Sequence, residues 1–424
     1  MINYSDVQVK RSRGLYLWEA AVEYLISLLV SGSFLATLTK ELGVSDSLTG
    51  ILSSVISLGC LFQLISLAIR RTAVKRFVVA FSILNQILFM LLYVVPLTGF
   101  GKQTKIVLFV AFIFTAYLIY NIAHPKKINW LMSLVDPSQR GRFTASKEII
   151  SLVSGMIFSF CMGAVIDHLA GKGQIRAAFT VSAIVIFALM VLHTCLMSFA
   201  VEKPAPQASQ KQLKAAVADL LKSKNIFHIT VVFLMYYVST YVSTPFYGTY
   251  QISELGLSLK FVSIATVFGS VARILVARLW GTYADKTSFA VMVEKCFIFL
   301  GLSKICIIFA TPSTGKIMFI LFYILNGIAL GGIGSALVNL VLEYIPSEKA
   351  ADAIAVTQAF SGLAGFLTTL CISPVVSHIQ KSNSVFGAPI YAQQFVSIIA
   401  LAFSVFGVLY VRFIFMKKVS KQQS

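Results

Sequence analysis

The sequence predicts an all-α polytopic membrane protein with twelve transmembrane helices in two related six-helix halves. Three observations predict it. Hydrophobic residues make up 58% of the 424-residue chain and charged residues only 12%, against about 45–50% and 25% in soluble domains. The apolar residues fall in runs of roughly the 20 residues that a helix needs to cross a bilayer, without the alternation of barrel strands. One polar stretch, residues 201–225, divides these runs near the midpoint of the chain. That division raises the question of whether the flanks are copies of one unit.

In order, the first half (residues 1–200) reads as spans near 16–38, 47–69, 77–96, 106–124, 147–169 and 178–200. The basic start, residues 1–14, precedes an apolar run with no small-residue cleavage site after it, so that run reads as a retained span rather than a signal peptide. The fourth span ends at His124, beside Pro125. The linker, 201–225, opens with Pro204 and Pro206, which stop the preceding helix because proline lacks an amide donor. It is basic through Lys211, Lys214, Lys222 and Lys224. The second half (226–424) reads as spans near 226–250, 259–280, 289–310, 316–339, 352–377 and 391–416.

Charge sets the expected orientation. One side of the membrane receives only Lys40, Lys102, Lys105, Lys172, Arg176, Lys260, Lys316 and Lys381 of the 35 Lys and Arg. Apart from Arg273, Lys295 and Lys304 inside spans, the rest fall on the other side, which the positive-inside rule makes cytoplasmic. Both termini and the linker are then cytoplasmic, in the plasma membrane, and Trp18, Trp130 and Trp280 fall near that interface as an aromatic belt. The net charge of +19 is explained by this topology, so no nucleic-acid partner is expected; the partners are the lipid bilayer, a small-molecule substrate and protons, with the chain a monomer. The six cysteines lie in apolar runs without Cys-x-x-Cys spacing, which reads as buried reduced thiols rather than a disulfide framework or zinc site. No metal and no cofactor is expected.

Short motifs support the repeat. Pro137-Ser138-Gln139-Arg140-Gly141 follows the fourth span and Pro346-Ser347-Glu348-Lys349-Ala350 the tenth. After the eighth span, Gly281-Thr282-Tyr283-Ala284-Asp285-Lys286 resembles the Gly-x-x-x-Asp-Arg/Lys loop signature of the major facilitator superfamily, and Arg140-Gly141-Arg142 resembles a basic loop found in many members. With twelve spans and a central linker, the resemblance covers nearly the whole chain. Ser288 replaces the signature's later glycine. Ser66 and Arg70 stand where the first-half copy usually has glycine and aspartate, and the fifth span carries only Gly155 and Gly163, so no subfamily is indicated. The resemblance implies secondary transport by rocking of two halves, with Gly281, Asp285, Lys286, Arg140 and Arg142 as a cytoplasmic latch.

Charges inside a bilayer are functional candidates because each is costly there. Glu19 and Glu23 lie one turn apart on the first span, with Glu19 near the Trp18 interface and Glu23 about 6 Å deeper at about 1.5 Å per residue. Protonating Glu23 would relieve both its desolvation and its repulsion from Glu19, which suits a proton carrier. An ion pair with a basic residue such as Arg273 or Arg13 is the structural alternative. Ser27 and Ser31 continue this stripe. Comparable stripes carry Tyr117, Asn121 and His124 on the fourth span, Tyr236, Thr240 and Tyr247 on the seventh, and Tyr323 and Asn326 on the tenth. The resemblance implies that these four helices line a central cavity. Each stripe residue can contact substrate or stitch helices together. Arg273 and Lys304 lie deep and can hold an anionic group or complete an ion pair, whereas Lys295 can snorkel. His124 and His193 are isolated, and the glycines from Gly327 to Gly334 suit close helix packing rather than phosphate binding. The expected function is a secondary active transporter of a small polar solute, with a non-transporting sensor or scaffold and an uncoupled facilitator as alternatives. An enzyme is not expected, since no Ser/His dyad, aspartate pair or His-Glu-x-x-His occurs in the spans. An ATP-driven pump would need a Gly-x-x-x-x-Gly-Lys-Ser/Thr loop, and the sequence has none.

Overall fold

Each apolar run forms helix, as backbone in lipid must, because its amides and carbonyls find no water there. The computed structural model describes residues 6–68, 74–136, 139–202, 224–345, 347–382, 384–385 and 387–417. Linker residues 203–223, Arg70, Arg71, Pro137, Ser138 and Pro346 lie outside the described residues. The helices are α1 (Asp6–Leu29), α2 (Gly32–Glu41), α3 (Asp46–Ala68), α4 (Val74–Val94), α5 (Lys102–Met132), α6 (Arg140–Gly171) and α7 (Ile175–Phe199). They continue as α8 (Lys224–Tyr241), α9 (Leu259–Lys286), α10 (Phe289–Ile308), α11 (Gly315–Tyr344), α12 (Ser347–Ser382) and α13 (Ala392–Tyr410).

Among the described residues, 11 helical stretches are long and apolar enough to cross a membrane, with α1 and α2 counted as one. Helix α10 has 20 residues but carries Glu294, Lys295 and Lys304, and the expected twelfth span rests on it. Outward-facing apolar side chains such as Leu275, Leu279 and Ile157 give the helices a surface suited to lipid.

Four boundaries depart from the sequence reading. Pro125 lies inside α5, since a membrane helix tolerates a proline when its surroundings bond the freed carbonyl; the helix therefore carries Lys127 onward instead of releasing it into a loop. Helix α9 continues through residues 281–286, so the glycine–aspartate signature is helical rather than a loop. The first span breaks at Val30 and Ser31, where Gly32 has φ +52°. The seventh breaks after Tyr241 into a 3-10 turn (Thr244–Phe246), a short helical turn (Tyr247–Thr249) and a π-helical turn (Tyr250–Glu254). Pro245 sits at that break, where its missing amide and its ring disfavour a continuous helix. A small antiparallel pair, Ser384–Val385 with Ala388–Pro389, adds strand to the expected all-α fold. Gly387 closes it at φ +81°, a left-handed conformation open to glycine.

The chain forms two compact units. One comprises the described residues of Met1–Val44, Phe62–Ala208 and Ser258–Ser263. Within it α1 packs against α6 and α7, and α4 against α5 and α7. Tyr16, Val78, Trp130, Leu131, Leu134 and Met197 share its core. Trp130 is only 1% exposed and its indole donates to the Val201 carbonyl at 2.8 Å; it is a core residue, not part of an aromatic belt. The Asp167 carboxylate accepts the amides of Leu259 (3.0 Å) and Lys260 (2.7 Å). These belong to the first turn of α9, whose amides have no partners within the helix.

The other unit comprises the described residues of Ser45–Leu61, Ser209–Leu257 and Ile264–Ser424. Here α10 packs against α11 and α13, and α8 against α12 and α13, around Phe233, Met292, Cys296, Phe297 and Leu337. A side chain at Gly327 would collide with the backbone of Gly269, and one at Gly331 with that of Arg273. The glycines thus let α9 and α11 approach closely, as small residues do between membrane helices. All six cysteines are free. Only Cys296 is fully buried, whereas Cys161, Cys195 and Cys371 are exposed, which corrects the expectation of six buried thiols.

Candidate functional site

The carboxylates on α1 are held by a lysine that the sequence reading placed outside the spans. Because Glu19 and Glu23 are four residues apart, they share a helix face. Lys127 of α5 donates to Glu19 Oε1 at 2.8 Å and also bonds Glu23. His193 Nε2 of α7 lies 2.9 Å from the same Glu19 oxygen. Glu19 is 1% exposed and Lys127 4%, while the Glu23 side chain retains 22% exposure. The expected order is therefore reversed: Glu19 is enclosed by its partners, and Glu23 is the more open carboxylate. The structural alternative, a pair with a basic residue, describes Glu23, but the partner is Lys127 rather than Arg13, which binds Asp136 at 3.2 Å. His193 is not isolated.

The group also borders a small cavity of about 10 Å³, room for one water, where Glu23, Ser82, Asn85, Tyr120, His124 and Lys127 are joined by Phe81 and Ala123. The Tyr120 and His124 rings lie 4.8 Å apart. Glu19 Oε2, His124 Nδ1 and His193 Nδ1 are buried without a hydrogen-bond partner among the described residues. With Lys127 protonated and both glutamates ionised, the group carries one excess negative charge. One proton on Glu23 or His193 neutralises it. Ligand atoms of Glu19, Glu23 and His193 come within 4.8 Å of one another, a spacing that could hold a cation. The Lys127 ammonium already occupies that field, however, and would repel a divalent ion.

The remaining first-unit candidates are tied into the packing. Tyr117 is buried against Phe89, and Asn121 donates to the Tyr117 carbonyl at 2.8 Å while accepting from Gln63 at 3.3 Å. Ser27 and Ser31 bond carbonyls of their own helix beside the break in the first span. A signal for Lys127 was present in the sequence. Two carboxylates in one span call for a base, and Tyr120, His124 and Lys127 recur at helical spacing past the proline.

In the second unit, Tyr236 is partly buried and packs against the core around Phe233, Met292 and Phe297. Tyr247 bonds Ser243 at 3.0 Å and Ser397 at 2.8 Å. Asn326 is half-buried on α11. Lys304, 1% exposed, points its Nζ at Thr244 Oγ1, 3.2 Å away. The latch candidates Gly281, Asp285 and Lys286 are exposed on the last turns of α9, and Arg140 and Arg142 are exposed on the first turn of α6. Gly281 faces open space within helix, so neither a tight turn nor close packing requires it. Among the described residues Asp285 forms no ion pair.

A sequence model described as Major Facilitator Superfamily matches residues 20–369. No curated protein matches the chain in sequence. Solved structures do resemble it. A bacterial homolog of the human lysosomal transporter Spinster, inward-facing and unoccupied, has a TM-score of 0.69 at 12% identity, covering 96% of this chain and 97% of that one. The nucleoside transporter NupG gives 0.66 at 13%, covering 96% and 98%. A D-xylose-proton symporter gives 0.65 at 14%, covering 96% of each. Identities this low establish likeness of fold alone.

Proposed function

The chain belongs to the major facilitator superfamily, and on that premise we propose that it is a proton-coupled secondary transporter of a small polar solute. In this reading two related halves, 1–200 and 226–424, alternate access to a midplane site across the plasma membrane, with both termini cytoplasmic. The observation that carries the coupling is the Glu19–Lys127–Glu23–His193 group. A buried charge set one proton short of neutrality, with Glu23 partly open beside a small cavity, can take up a proton and release it when its surroundings change. The structural neighbours, which include a proton symporter by name, support a transporter.

Tyr117, Asn121, Tyr236, Thr240, Tyr247, Arg273 and Asn326 remain the candidate solute contacts. Asp285, with Arg140, Arg142 and Lys286, remains the candidate latch; Asp285→Asn then slows interconversion more than it weakens binding.

The test is Glu23→Gln in proteoliposomes, which mimics the protonated carboxyl. Accumulation driven by a proton gradient is expected to disappear while downhill exchange continues. Full accumulation by a well-folded Glu23→Gln protein sinks the coupling role. Loss of exchange with loss of folded yield assigns Glu23 to structure instead.

A further inference from the structure

We propose that Lys304 is the anchor for a carboxylate group of the transported solute, an inference that rests on the transporter reading and names its substrate class. Lys304 lies on α10 and is 1% exposed. Its ammonium has three donors and no acceptor. One is met by Thr244 Oγ1 at 3.2 Å. The ring centroids of Tyr247 and Phe322 lie 5.2 and 5.6 Å from Nζ, close enough to attract the charge through their faces. Among the described residues no carboxylate lies within ion-pair distance. Glu294 of the same unit is engaged by Lys295 and Arg412, each at 3.8 Å, while Asp46 and Glu254 share Gln380 at 2.7 and 3.1 Å. A hydroxyl and two ring faces only partly replace water around a buried ammonium. An anion completes its coordination.

The place of this amine in the fold is the second, independent observation. Thr244 opens the 3-10 turn where the seventh span breaks. Non-helical backbone at membrane depth persists where it is enclosed by protein or lines a cavity, and discontinuous helices form solute sites in transporter folds. Ser243 and Ser397, bonded through the Tyr247 hydroxyl, add neutral polar groups to the same place. Phe319 and Phe322 pack around the Tyr247 ring and offer apolar contact to the body of a solute. A single compact ammonium matches a monoanionic carboxylate. A phosphate dianion calls for more cations or for the fork of a guanidinium.

The experiment uses the purified full chain in detergent. Its thermal unfolding is followed with lactate, pyruvate, 3-hydroxybutyrate and benzoate, and with the matching amides. At least one carboxylate is expected to raise the melting temperature while its amide does not. In Lys304→Met its apparent affinity falls on the order of a hundredfold, the size of effect expected when one partner of a buried charge pair is removed. Lys304→Arg keeps part of the response. If Lys304→Met fails to fold, Thr244→Val and Lys304→Arg are read instead, and both must weaken binding. The proposal is overturned if no carboxylate shifts the wild type, or if the shift is unchanged in the variants. Proton-driven transport of uncharged solutes alone would leave the transporter reading standing and remove this one. Lys304-dependent binding without transport would do the reverse.

Discussion

Lys127 and Lys304 are both buried lysines in opposite company. Lys127 is held by two carboxylates, one of which also meets a histidine. Lys304 has a hydroxyl and two aromatic faces. Burial alone therefore says little about what a charge does. The first lysine is the hub of an ion network with two carboxylates; the second has one hydroxyl partner and two ring faces around it. The difference lies in their neighbours: α1 presents two acids a turn apart, whereas the broken seventh span presents hydroxyls and a tyrosine ring.

The largest expected effect comes from breaking the network at its hub. Lys127→Met leaves two carboxylates uncompensated and should cost about 3–5 kcal/mol, as for other buried pairs that lose one member, seen as a lower melting temperature and folded yield. Adding Glu23→Gln should recover part of that loss, because fewer charges then need a partner. Full additivity of the two changes would show that the residues do not act as a network.

Next is the contrast within the network. Glu19→Gln removes charge-assisted bonds from both Lys127 and His193 and should cost about 2–3 kcal/mol. Glu23→Gln, with its side chain partly open, should cost about 1 kcal/mol or less, since Lys127 keeps Glu19. Equal melting temperatures for the two variants would contradict the asymmetry of burial. In the second unit, Tyr247→Phe keeps the ring beneath Lys304 but loses the bonds to Ser243 and Ser397, a change of about 1 kcal/mol. Lys304→Met should be the mildest, neutral or stabilising by up to about 1 kcal/mol, because replacing a buried charge by an apolar chain of similar length strands no opposite charge. A collapse of Lys304→Met comparable to that of Lys127→Met would erase the contrast between the two lysines and reveal a structural partner.

The sequence made the helices legible because lipid leaves the backbone few choices, and it marked Glu19 and Glu23 because carboxylates inside apolar runs are conspicuous. It did not reveal their partners. Lys127 sits three residues beyond His124, past a proline that reads as a terminus in isolation but is carried inside α5. His193 lies 174 positions from Glu19, a separation that no local pattern bridges. Gly327, Gly331 and Gly332 of α11 act as the packing residues their sequence suggests, because the lack of a side chain has one evident use between membrane helices, whereas Gly334 faces open space. The glycine–aspartate signature reads as a loop by resemblance, yet α9 runs straight through it; nothing in Gly281-Thr282-Tyr283-Ala284 opposes helix strongly enough to end it. The breaks at Ser31 and after Tyr241 were missed because hydropathy averages over them.

The ion network also constrains how the protein is made. Synthesis runs from the N-terminus, and Glu19 and Glu23 emerge 108 and 104 residues before Lys127. The apolar stretch of the first span, 16–38, thus reaches the insertion machinery with two acids and no base, each acid costing about 2.5–3.5 kcal/mol if it enters the bilayer centre charged. That span should insert poorly by itself and become secure once the fourth has been synthesised, so a ribosome-bound chain of three spans is predicted to be far more easily extracted from membranes than one of four.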